Sequence, residues 1–149
     1  MDLINKISEA FSDRLPPSTK YLCNTNNDEG VSEHFAGTKW LDHNADCLSY
    51  HTVALTFFNP EAFCYYLPAF LIWSIKEKGT CVPDALCPPQ NDPSRKSYMN
   101  WWSLLSLKQK EIIILYLRSI NDDCSLRYNA AADALEKSMK VGINRVRPQ

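Results

Sequence analysis

The sequence predicts an all-α fold, a single compact domain of about five helices around one hydrophobic central helix. Three observations carry this. Apolar residues recur at three- and four-residue spacing in several segments, no pair of alternating apolar and polar runs suggests a strand hairpin, and one long apolar stretch carries a complete helix start signal. The chain has 149 residues, 45% hydrophobic and 22% charged, which suits one domain with a real core.

The first helix is expected over 2–14, where Leu3, Ile7 and Phe11 share a face opposite Lys6, Glu9 and Asp13. Leu15-Pro16-Pro17 closes it. Residues 18–39 read as irregular, because Asn24, Asn26, Asn27 and Gly30 break any period and only Val31 to Phe35 suits a short helical turn. A second helix is expected over 42–57, weakened by β-branched Thr52 and Val53.

The central helix is expected over 60–78. Asn59 supplies the N-cap, Pro60 the pre-set φ of the first position and Glu61 an acid facing the helix dipole. From Ala62 to Ile75 it is apolar on nearly every side, so it belongs among other elements. Pro68, inside it, has no N–H for the Cys64 carbonyl and presses on the preceding turn, which predicts a kink near residues 64–67. Residues 80–102 form a long loop with Pro83, Pro88, Pro89 and Pro93, and at most one helical turn at 83–86. Ser106 and Gln109 make a capping box for a helix over 107–120, and Ala131, Leu135 and Met139 mark another over 126–140, ending at Gly142. Residues 141–149 read as a frayed basic tail.

The N-terminus lacks the basic and apolar regions of a signal peptide, and the apolar stretch around residues 53–75 is broken by Asn59, Pro60, Glu61 and Pro68. A cytoplasmic chain without a membrane span is therefore expected. The six cysteines are scattered and are read as reduced thiols. Cys81 and Cys87 sit near each other, but their five-residue spacer matches neither a zinc knuckle nor a redox pair.

The stretch HNADCLSYH places His43, Cys47 and His51 four apart on one expected helical face. The outer two lie roughly 12 Å apart along a helix rising 1.5 Å per residue, so one ion cannot take all three. A metal would need two of them plus a ligand from elsewhere, such as His34 or Cys81. The favoured reading is partly buried polar residues, with no metal, no cofactor and no catalytic residue. The chain has no GxSxG, HExxH or phosphate-binding glycine loop, so an enzyme is the minority expectation.

Charge is uneven. Residues 1–61 hold nine acids against four bases, a balance of −5, and residues 62–149 hold eight against twelve, a balance of +4. Asp28, Glu29, Glu33, Asp42 and Asp46 are expected to form an acidic face suited to steering a basic protein partner and unsuited to nucleic acid. Tyr65-Tyr66 is expected to turn at least one ring outward or toward a polar partner, and Trp101-Trp102 to expose one ring as an interaction surface, because adjacent bulky residues seldom both bury; all four are candidate partner-binding residues.

The segments Ala10-Phe11, Pro16-Pro17, Phe35-Ala36-Gly37 with Trp40, ALTFFNPEAFCYYLPAF and LSLKQKEIIILYL together resemble a group of small bacterial proteins known only as a domain of unknown function. The resemblance runs from Ala10 to about Leu117, and its most specific part is FFNPEAFCYYLPAF. It implies a single α-helical domain and carries over no activity, cofactor or catalytic residue. The functional expectation is a non-catalytic protein-binding domain, in its specific form an immunity-type antidote that neutralises a basic bacterial toxin. The alternative is a small enzyme or ligand-binding protein with a pocket beside Tyr65, Tyr66 and Glu61.

Overall fold

A computed structural model describes residues 2–18, 21–24, 29–88 and 100–146, with side chains through Lys140. The architecture is all-α. Helix α1 (Leu3–Ala10) starts at Asp2, whose carboxylate accepts from the Asn5 amide at 2.8 Å. It buries Ile7, Ala10 and the following Phe11, the face its periodicity marks. After it come α2 (Val31–Phe35), a 3-10 turn (Trp40–Asp42), α3 (Ala45–Tyr50) and α4 (Ala54–Phe57).

The single helix expected over 42–57 is thus three short pieces. Asn44 is extended and its side chain accepts from the Cys47 amide at 3.0 Å, so it caps a new helix where continuation was expected. The second break, at His51–Val53, coincides with the β-branched pair Thr52-Val53.

Helix α5 (Pro60–Lys76) is the centre of the molecule. Asn59 closes its start in two directions: its Oδ1 accepts from the Ala62 amide at 2.9 Å and its Nδ2 donates to the Tyr21 carbonyl at 2.8 Å. The Asn59 amide also donates to the Leu22 carbonyl at 2.7 Å, and Cys23 and Phe58 form an isolated antiparallel bridge, so the irregular N-terminal segment is stitched to the start of α5. The helix passes through Pro68 unbroken, and every residue from Ala62 to Leu71 is buried. It packs against α1, the 3-10 turn, α3 and α6 (Val82–Leu86).

Helix α7 (Leu107–Ser119) begins with the expected capping box, Ser106 Oγ accepting from the Gln109 amide at 3.2 Å and Gln109 Oε1 accepting from the Ser106 amide at 3.1 Å. Gln109 is the buried polar residue among the described residues. Its Oε1 also receives Arg14 Nη1 at 3.0 Å, and its Nε2 donates to the Ala10 carbonyl at 3.1 Å, tying the end of α1 to α7. Helix α8 (Ser125–Val146) forms a hairpin with α7, with Arg118 reaching Asp133 at 2.8 Å and Glu136 at 3.2 Å. It continues past Gly142, where the sequence suggested an end. Residues 147–149 of the expected tail, and 89–99 of the expected long loop, lie outside the described residues. Among the described residues, no helix is long and apolar enough to cross a membrane.

Candidate functional site

The aromatic half of the expected partner surface is core. Tyr65, Tyr66, Trp101 and Trp102 are all buried, which corrects the expectation that they face a partner, while Tyr66 takes the other course open to it, toward a polar group. Perpendicular packing makes room for neighbouring rings: Tyr65 and Tyr66 cross at 85° and Trp101 and Trp102 at 89°, while Phe63 lies 4.5 Å from Trp101. The Tyr66 hydroxyl is spent on the Phe35 carbonyl at 2.6 Å, with the Thr38 carbonyl at 3.0 Å. Glu61 takes the Ser18 amide at 2.7 Å and the Ser18 hydroxyl at 3.2 Å. Two of the three residues named for a pocket, Tyr66 and Glu61, thus hold neighbouring segments, and Tyr65 is buried against Tyr66.

The acidic half is at the surface. Glu29, Glu33, Asp42 and Asp46 are exposed, and Asp28 lies outside the described residues. Asp42 has a local task as well, its Oδ2 accepting from the Lys39 amide at 3.2 Å. Two apolar side chains sequence reasoning did not select share this region: Tyr50, 90% exposed on α3, and Leu41, 70% exposed in the 3-10 turn.

Between the short helices lies a constellation of a different kind. All three histidines of the chain fall within residues 34–51, and the fold gathers them around one thiol. His34, near the end of α2, places Nε2 2.7 Å from Cys47 Sγ, in the first turn of α3. His43, extended just before the Asn44 cap, places Nδ1 3.4 Å from the same sulfur. The ligand atoms of His34, His43 and Cys47 all lie within 4.8 Å of one another. His51 stands outside that trio and stacks on the His34 ring, centroids 4.2 Å apart.

Neighbours fix these groups. His43 Nε2 is 2.8 Å from Thr38 Oγ1, whose own proton goes to the Phe35 carbonyl at 2.6 Å. The threonine oxygen then accepts from His43 Nε2–H, and this tautomer leaves the Nδ1 lone pair facing Cys47. Burial, with help from His34, holds the His43 imidazole below its ordinary value, against the opposing pull of Asp42. His51 is lowered by burial and by His34, and burial pushes the Cys47 thiol up. His43, His51 and the Cys47 thiol are thus neutral at pH 7.

The regular four-residue spacing pointed to His43, Cys47 and His51 on one helix. The fold instead breaks that helix, keeps His43 and Cys47, and brings in His34 from across the turn at Gly37 (φ 75°). The signal available in the sequence was the confinement of every histidine to one short region beside a cysteine.

Fold and site together define a small all-α domain with a buried aromatic core, several exposed acids between residues 29 and 46, and an imidazole and thiol cluster near the surface. The chain belongs to the family of unknown function DUF6714, whose profile matches residues 1–138. This agrees with the resemblance to an uncharacterised domain that its helical segments suggested. No curated protein and no solved structure matches it.

Proposed function

We propose that this chain is a non-catalytic binding domain for a basic protein, in its specific form an immunity-type antidote to a bacterial toxin. The observation that carries the reading is the concentration of exposed Glu29, Glu33, Asp42 and Asp46 in one stretch, interleaved with exposed Leu41 and Tyr50. Acids supply steering and partner choice, and a projecting tyrosine supplies an anchor with few torsions to freeze. Lys39 is the sole lysine or arginine between residues 29 and 53, against four acids, so the local balance is negative.

The test is affinity capture with the products of neighbouring genes, followed by binding measurements on the purified pair. Glu33→Lys/Asp46→Lys is the variant of choice, because Asp42 also closes the 3-10 turn. A stoichiometric basic partner should bind with an association rate that falls steeply with salt, and the double variant should weaken it by tenfold or more, on the order of 1.4 kcal/mol. A partner that binds both proteins equally at all salt concentrations would refute this face.

A further inference from the structure

We propose that His34, His43 and Cys47 form a binding site for a divalent transition-metal ion of the zinc class, with one coordination position left open. The three donor atoms converge without any change of fold, since all lie within 4.8 Å of one another. Zinc bonds of about 2.0–2.1 Å to nitrogen and about 2.3 Å to sulfur place tetrahedral ligand atoms roughly 3.3–3.6 Å apart. The 3.4 Å from His43 Nδ1 to Cys47 Sγ is already such an edge, and the 2.7 Å from His34 Nε2 needs only a small outward turn of an exposed ring.

Three features separate this arrangement from a chance meeting of polar side chains. The donor set is two imidazoles and one thiol, the borderline-soft combination that suits zinc and excludes the hard oxygen-seeking cations. Thr38 receives the other ring nitrogen of His43, the outer contact that orients a histidine ligand and sets its tautomer. The Cys47 backbone is also fixed, its amide donating to Asn44 Oδ1, and the His51 ring stacks beside His34 at an interplanar angle of 26°.

Binding would replace the Cys47 S–H bond by a metal–sulfur bond and release that proton to solvent, the imidazoles binding through unprotonated ring nitrogens, with no oxidation or reduction. The ion would join α2 and α3, five and six residues long and far below the length at which helices persist alone. Water or a partner's side chain would complete the tetrahedron at the open position.

The inference goes beyond the partner reading, because it needs no partner and is tested on the isolated chain. Reduced, chelator-stripped full-length protein is titrated with Zn²⁺ against a competing indicator, then with Co²⁺. The expected result is one ion per chain, about one proton released, and a tetrahedral cobalt spectrum with a thiolate charge-transfer band. Loss of a direct ligand should exceed the 10–100-fold typical of outer contacts, so Cys47→Ser and His43→Ala should each weaken binding about 100-fold or more. Should either alter the helicity of the metal-free protein, His34→Ala, at an exposed position, takes its place. A Cys81→Ala/Cys87→Ala variant should bind as the parent does. Absence of one-to-one binding in the parent, binding that survives loss of Cys47 and His43, or binding lost with Cys81 and Cys87 would each overturn the assignment, and none would bear on the charge-reversal experiment.

Discussion

Tyr66 shows how one side chain joins the core to the site. Its ring stacks on Phe58 with centroids 5.3 Å apart and its hydroxyl holds the Phe35 carbonyl, which also receives Thr38, the residue that orients His43. Tyr66→Phe keeps the ring and removes that donor, leaving a buried carbonyl less well satisfied. Because Thr38 still donates to that carbonyl through its amide and hydroxyl, the expected loss is about 0.5–1.5 kcal/mol in equilibrium denaturation, with no change in helix content. The sequence marked Tyr66 as a residue needing a polar partner, and that much was legible in its chemistry. Its direction was not, because pointing a phenol inward requires Phe35 and Thr38 to arrive from a segment without periodicity. The same limit left His34 and Cys81 as equal candidates for a further ligand, because His34 meets Cys47 only through the path of the intervening turn.

Helix boundaries follow a similar division. Asn59-Pro60-Glu61 and Ser106 with Gln109 fixed two starts from local chemistry, and both caps form as expected. Asn44 has the same capping chemistry, yet the run beyond it hid it, since apolar residues at helical spacing continue from Ala45 to Leu55 across a break at His51–Val53. Asn59 does more than an ordinary cap because its amide group also holds Tyr21, and its backbone holds Leu22. Asn59→Ala should therefore cost more than the roughly 1 kcal/mol of a simple N-cap, and hydrogen exchange should quicken at the Ala62 amide and at Asn24, whose N–H bonds to Phe57. A loss confined to the first turn of α5 would show that the N-terminal segment is held by its side chains instead.

At the scale of the whole molecule, the core is stocked with weak acids that must stay neutral. Burial raises Cys64 from 9.0 to about 12, and raises Tyr66, Tyr116 and Tyr128 above the ordinary phenol value. In the unfolded chain these groups ionise near their ordinary values, so the stability they confer is complete below pH 9 and is lost as pH rises toward 12. Denaturant midpoints should hold to about pH 9 and then fall, and Cys64→Ala, less stable at pH 7, should lose less than the parent between pH 8 and pH 10.5. A midpoint that falls equally in both proteins would remove Cys64 from the account. The link between Ala10 and Gln109 spans 99 residues and sets a timetable for a nascent chain. At 5–20 residues per second, the ribosome makes the acceptor on the order of 5–20 s before its donor exists. Through that interval Ile7 and Phe11 have α5 to pack against but no α7, so α1 can settle on the central helix early and is closed over only when the C-terminal hairpin arrives.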